Sequence, residues 1–367
     1  MIADTIPVRM PTTETETRTR QQNTTTAIRR SDMARLVRIG VAASLTALLL
    51  WHSNPRAVWE AARGADARFI LLACALVAVD RVLMAYRWWT LLAPLGGEDR
   101  PEGRNYENTI RDESAVRSGD LQVGLRPPIG IVMRIFFVST FVGTFLPASV
   151  GGDAMRAYAL SKEGVTGVDA VASVIVDRLL GVVSILIVAI AGAVLARDLI
   201  DIRALFPAFA LLIVLCAVAL AVVFSPRAAA AAARLLAIFP RGRQIGSKLV
   251  TAIQRYASLH LPMSNVLLCS IAVQVLRVLQ TYCLGLALGI AVPLGVYFAL
   301  VPIVLLIVLM PITINGIGTT QAGFVWLFGR AGVGSGPAFA LSILFLGIAV
   351  VGNLPGGFLY LFGGKRI

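Results

Sequence analysis

Apolar runs and short polar connectors alternate along almost the whole chain. Residues 36–51, 69–92, 129–146, 171–195, 204–224, 266–290, 294–310 and 338–362 are the apolar stretches. An α-helix needs about 20 apolar residues to cross the hydrocarbon core of a bilayer. Most of these runs approach or exceed that length, and the pattern predicts an all-α, polytopic transmembrane helix bundle. The 36–51, 129–146 and 294–310 runs fall short, and the latter two each end in a cluster of proline, hydroxyl and glycine residues.

The connectors divide the chain further. Residues 1–31 are rich in Thr, Arg and Gln and nearly free of large apolar groups. Such a segment cannot bury enough surface to fold and is predicted to be a disordered tail. Met33 opens a second plausible start, so the transmembrane domain is taken as residues 32–367. Residues 94–128 form a polar loop of mixed charge with Pro and Gly at its ends, read as a cytoplasmic insertion. Residues 225–262 carry Arg227, Arg234, Arg241, Arg243, Lys248 and Arg255 and no acidic residue. The positive-inside rule keeps such a loop in the cytoplasm. Residues 240–243 divide it into two helical stretches.

The two interruptions are the informative feature. One reads Pro147-Ala-Ser149-Val-Gly151-Gly152, and the other Pro311-Ile-Thr313-Ile-Asn315-Gly316-Ile-Gly318. Non-helical backbone at membrane depth must be buried in protein or line a wet cavity. Matching breaks in two halves of a chain point to an internal repeat with a substrate site between them. Charge bookkeeping agrees. With both termini in the cytoplasm, the basic 225–262 loop stays inside only if residues 129–162 and 294–330 are re-entrant hairpins. They then enter from opposite faces, an inverted-repeat arrangement.

Charge and chemistry narrow the function. The chain is 57% hydrophobic and 14% charged, with a formal net charge of +13. The basic residues lie mostly in connectors between apolar spans, so the balance is read as orientation and contact with anionic lipid, not nucleic acid. The cysteines lie inside apolar runs without metal-ligand spacing, and the two histidines are far apart. No metal or other cofactor is expected. Cations inside the apolar runs are a different matter, because an intramembrane charge is costly and marks function by default. Asp153 and Arg156 lie on one face of a short helix after the first break. Asp177, Arg178 and Arg277 lie inside later spans. A half-helix beginning inside the membrane points free backbone N–H groups at its midplane, and arginine donates bidentately to phosphate. The glycines at 151, 152, 316 and 318 would let a ligand approach the backbone. Pro147, Ser149, Asn315 and Gln321 complete the candidate anion-binding set.

Each of these residues also has a plainer reading. Asp153 and Arg156 would neutralise each other, Asp177 and Arg178 would form a structural pair, and Arg277 would snorkel. Asp80-Arg81 is read as structural.

At these residues the chain resembles a known family. Phe145-Leu-Pro-Ala-Ser-Val-Gly-Gly-Asp-Ala-Met-Arg-Ala-Tyr158 resembles the first signature of the flippase-like family, also named for the transmembrane region of lysylphosphatidylglycerol synthase. Ala172-Ser-Val-Ile-Val-Asp-Arg-Leu-Leu-Gly181 is similar to its next helix, and Met310-Pro-Ile-Thr-Ile-Asn-Gly-Ile-Gly318 to its C-terminal signature. Tyr86-Arg-Trp-Trp-Thr-Leu-Leu92 matches an early Arg-Trp pattern. The resemblance covers roughly residues 36–362. It implies handling of lipid-linked anionic headgroups across a cytoplasmic membrane, without the soluble synthase domain that some members carry. It also implies an acidic residue after the second Gly-Ile-Gly, where this chain has Gln321. If that carboxylate couples to protons in relatives, Gln321 cannot.

Three functions therefore stay open. The first is a translocator for an anionic phospholipid or a polyprenyl-phosphate-linked headgroup. The second is a membrane enzyme, disfavoured because no catalytic constellation appears. The third is a non-transporting partner that anchors a cell-envelope synthesis enzyme.

Overall fold

The structure, a computed structural model, describes residues 56, 59–60, 63–92, 127–145, 150–197, 206–236, 242–309 and 316–362. The N-terminal tail, the first apolar run, most of the 94–128 insertion and both break sequences up to residues 149 and 315 lie outside them. So do Pro147, Ser149 and Asn315 of the candidate site.

The chain is helical throughout the described residues. In order the helices are α1 (Ala67–Leu91), α2 (Ile129–Phe145), α3 (Val150–Lys162), α4 (Gly167–Leu195), α5 (Phe206–Phe224), α6 (Pro226–Leu236), α7 (Gly242–Gln254), α8 (His260–Ala287), α9 (Leu294–Leu309), α10 (Thr319–Arg330) and α11 (Ser335–Phe362). Arg255–Ser258 is a single 3-10 turn before α8. Local chemistry sets several starts. The Asp66 carboxylate accepts the Arg68 N–H at 2.9 Å, and the Thr166 hydroxyl accepts the Asp169 N–H at 3.2 Å, each satisfying a donor that a helix N-terminus leaves open.

Among the described residues four helices, α1, α4, α8 and α11, are long and apolar enough to cross a membrane, and α5 with α6 makes a fifth candidate bent by 102°. The chain is thus a multi-pass membrane protein. Pro302 and Pro355 sit inside α9 and α11, as transmembrane helices tolerate where neighbours support the backbone.

The short apolar helices form two antiparallel pairs. In the first, α2 turns back into α3. A Cβ on Gly143 would lie 2.9 Å from the Gly152 Cα, and farther from the break the Arg156 guanidinium lies 4.7 Å from the Phe136 ring. In the second, α9 turns back into α10. Gly316 faces Val308, Gly323 faces Val304, and Tyr297 and Phe328 meet at 5.1 Å. The paired lengths correspond: 17 and 13 residues in the first pair, 16 and 12 in the second. None reaches the ~20 residues of a full crossing.

The apolar core divides in two along the long helices. Trp88 of α1, Leu180 of α4 and Val266 of α8 pack with Val132, Phe136 and Leu160 of the first pair. Val77, Val188 and Val278 of the same three helices pack with Leu300, Phe324 and Phe328 of the second. The two helix pairs thus occupy opposite ends of the α1/α4/α8 core. Glycine sets the closest approaches. Gly356 of α11 has no room for a Cβ against the Phe137 backbone, and Gly192 of α4 has none against the Phe298 backbone.

Candidate functional site

The charged residues that the apolar runs carry are brought together where α1, α3, α4 and α8 meet. Asp177 is the hub. Its carboxylate lies 2.7 Å from Arg87 Nη2 of α1 and 3.3 Å from Arg156 Nη1 of α3, and all three side chains are buried. Arg87 also donates to the Ser270 hydroxyl of α8 at 3.0 Å. The Arg156 guanidinium lies between the Trp88 and Phe136 rings, 5.0 and 4.7 Å from their centroids. Aromatic faces attract a desolvated cation in this geometry.

The neighbouring pair is crossed relative to expectation. Arg178, one residue after Asp177, donates through Nε and Nη2 to the two oxygens of Asp153 at 2.7 and 2.8 Å. Asp153 and Arg156 therefore do not form an ion pair with each other, and neither do Asp177 and Arg178. Each residue of α3 takes its partner from α4. The geometric reason is that adjacent positions on a helix point about 100° apart. Asp177 faces the core, whereas the Arg178 side chain is 44% exposed. Val171, Ile175 and Arg178 are exposed at helical spacing on that side of α4, so the cation stands at the end of an apolar stripe.

A second charged group lies two turns away along α1. Asp80 is 3.5 Å from Arg81 and 3.4 Å from Arg277 of α8, and Arg277 Nη2 contacts the Met84 sulfur at 3.2 Å. Arg277 is thus paired and does not snorkel. Between the two groups Gln274 donates to Ser184 at 3.3 Å. Ser270, Gln274, Arg277 and Thr281 follow at spacings of four, three and four residues, so one face of α8 carries a polar seam through the core. The seam holds Arg81, Arg87, Arg156, Arg178 and Arg277 against Asp80, Asp153 and Asp177. Cations exceed carboxylates.

Several buried donors here have no hydrogen-bond partner in the described chain: Arg87 Nε, Arg156 Nε, Trp88 Nε1 and the Tyr256 hydroxyl. Tyr256, from the 3-10 turn, packs in the same cluster as Trp88. Burial pushes its phenol well above the ordinary range, so it stays a protonated donor. Unsatisfied buried donors beside surplus positive charge suit an anion with several acceptor oxygens.

The other predicted site residues among those described lie in the two helix pairs. Gly151 and Gly152 begin α3, and a Cβ on Gly152 would lie 3.0 Å from the Ser139 carbonyl oxygen and 3.2 Å from the Gly143 Cα. The close approach that Gly152 makes in the structure is to α2. Gly316 and Gly318 have φ of +74° and +88°, a left-handed backbone that favours glycine. The Gly316 carbonyl accepts the Thr319 and Thr320 hydroxyls at 3.0 and 2.7 Å, and Gly318 N–H donates to Gln321 Oε1 at 2.5 Å. Gln321 is buried and caps its own helix.

The sequence reading missed Arg87, Trp88, Ser184 and Ser270 as parts of this cluster. The signal was present as polar residues spaced four, three and four apart inside the apolar run of α8. Arg87 and Trp88 end the α1 run, where a cation beside aromatic rings looks like an interface anchor.

Residues 35–356 match the family described as the lysylphosphatidylglycerol synthase TM region. No curated protein and no solved structure matches the chain.

Proposed function

The chain belongs to the lysylphosphatidylglycerol synthase TM-region family, and on that premise we propose that it binds an anionic lipid headgroup and moves it across the cytoplasmic membrane. The observation that carries this reading is the half-exposed Arg178 beside the buried Arg87–Asp177–Arg156 group. A phosphate arriving from the bilayer meets Arg178 first, with its acyl chains along the apolar stripe of α4. The phosphate competes with Asp153 for the Arg178 fork, since both accept two parallel N–H bonds. Behind it, the surplus cations and free donors offer further contacts. The headgroup is a phospholipid or a polyprenyl-linked phosphate, which share this chemistry.

The two helix pairs at opposite ends of the core support a re-entrant, inverted-repeat reading. In it, α2–α3 enters from the cytoplasmic face and α9–α10 from the opposite face, with both termini in the cytoplasm. Rocking of one half against the other would expose the cationic seam alternately to each side. The role assigned is binding and transport, not catalysis.

The test is headgroup translocation by the full-length protein in liposomes containing a chemically tagged phosphatidylglycerol or polyprenyl phosphate. Wild type is compared with Arg178→Ala and Arg156→Ala, each checked for thermal stability. Folded Arg178→Ala protein is expected to lose most of the activity. Wild-type rates in folded Arg178→Ala and Arg156→Ala would reject the reading and favour a non-transporting partner of a cell-envelope synthesis enzyme.

A further inference from the structure

The span α5 ends at Phe224, and α6 starts at Pro226 after the single residue Ser225. The chain bends there by 102°. If the apolar α5 crosses the bilayer by itself, a helix leaving its end at this angle runs along the surface, at the level of the headgroups. The composition of α6 and α7 fits that place. Part of their apolar surface faces protein: Ala229, Val250, Ala252 and Ile253 are buried. Their outward side carries Arg227, Arg234 and Lys248, all exposed, and the 3-10 turn adds Arg255. Arg227 and Arg234 are seven residues apart and share one face of α6, as Lys248 and Arg255 do across the α7 end. No Asp or Glu occurs anywhere in residues 225–262. Arg255 reaches Asp169 on the first turn of α4 at 3.2 Å, which ties this surface to the helix that carries Asp177 and Arg178.

We infer that α6, α7 and the turn after them form a docking surface for an anionic bilayer leaflet, with Arg227, Arg234 and Lys248 contacting its headgroups. The position along the membrane plane and the uniform sign of charge favour a lipid surface over a protein partner. Cations held near an anionic leaflet each contribute attraction that salt screens. Docking there concentrates anionic lipids at the end of the bundle where α4 begins. It does not depend on whether a headgroup is then carried across.

Hydrogen–deuterium exchange of the full-length protein in nanodiscs tests this directly. One set contains phosphatidylcholine alone, the other phosphatidylcholine with phosphatidylglycerol. Amides of residues 226–236 and 246–256 are expected to exchange about fivefold more slowly with phosphatidylglycerol, roughly the factor supplied by one headgroup-layer cation. High salt should abolish the difference, and so should the combined Arg227→Gln, Arg234→Gln and Lys248→Gln variant. Equal exchange in the two lipid mixtures would overturn the inference. So would phosphatidylglycerol-dependent protection that persists at high salt or in the triple variant. Protection that appears only on adding soluble cell proteins, in either lipid, would overturn it in favour of a protein partner. The salt arm keeps the test decisive should the variant fold poorly.

Discussion

Arg178 holds Asp153 through two parallel hydrogen bonds of 2.7 and 2.8 Å, while Asp177, one residue earlier, turns inward to Arg156 and Arg87. The two carboxylates thus have different solvent access and different roles. Asp177 stands between two buried cations, whereas the Arg178–Asp153 pair is open on one side.

Asp177→Asn should therefore be strongly destabilising. It leaves Arg87 and Arg156 buried with their shared counter-charge gone, a loss of about 3–5 kcal/mol for a broken buried pair. Thermal unfolding of the purified protein checks this, and wild-type stability in the variant would remove Asp177 as the hub.

Asp153→Asn should cost little stability, about 1 kcal/mol or less, because its partner is half-exposed. It should tighten binding of a phosphate headgroup by releasing the Arg178 fork. Arg178→Lys should weaken binding while keeping the charge, because an ammonium cannot donate bidentately. Binding of a tagged anionic lipid by both variants reads this, and unchanged affinity in both would show that the fork is not used.

Gly192→Ala and Gly356→Ala place a methyl group against backbone, of Phe298 and Phe137 respectively. Backbone cannot yield as a side chain can, so each should lower stability by about 1–3 kcal/mol or more. Gly329→Ala and Gly347→Ala meet nothing within 4 Å and serve as controls with little loss. A common small effect in all four would mean that the hairpins do not seat on these glycines.

Gln321→Ala removes the acceptor for the Gly318 N–H. A lost helix cap of this kind costs about 0.5–2 kcal/mol. Anionic-lipid binding should be unchanged, since Gln321 is taken up by its own helix. A large loss of binding with intact stability would return Gln321 to the site.

Much of this architecture was legible because membrane helices declare themselves locally. The described spans begin and end within a few residues of the apolar runs, and the basic loop is two helices, as residues 240–243 suggest. The short runs ending at residues 146 and 310 marked the helix pairs before any contact was known. Partner choice was not legible. Asp153 and Arg156 share a helix face by spacing, but their nearest opposite charges belong to another helix, and only tertiary packing brings these together. The place of Arg87 in the cluster was hidden for a related reason: at the end of an apolar run an arginine and two tryptophans read as an interface anchor. Its burial against Ser270, 183 residues later, depends on how α1 and α8 cross.

The shared carboxylates also constrain how the protein can be made. Released singly into hydrocarbon, α4 would carry Asp177 and Arg178 without partners, at about 2.5–3.5 kcal/mol for each charge. The counter-charges lie upstream, on α1 and α3, and so are synthesised first. On α8, Arg277 likewise finds its carboxylate on α1. The order of synthesis thus matches the order of need: when α4 or α8 emerges, the segment bearing its opposite charge has already been made.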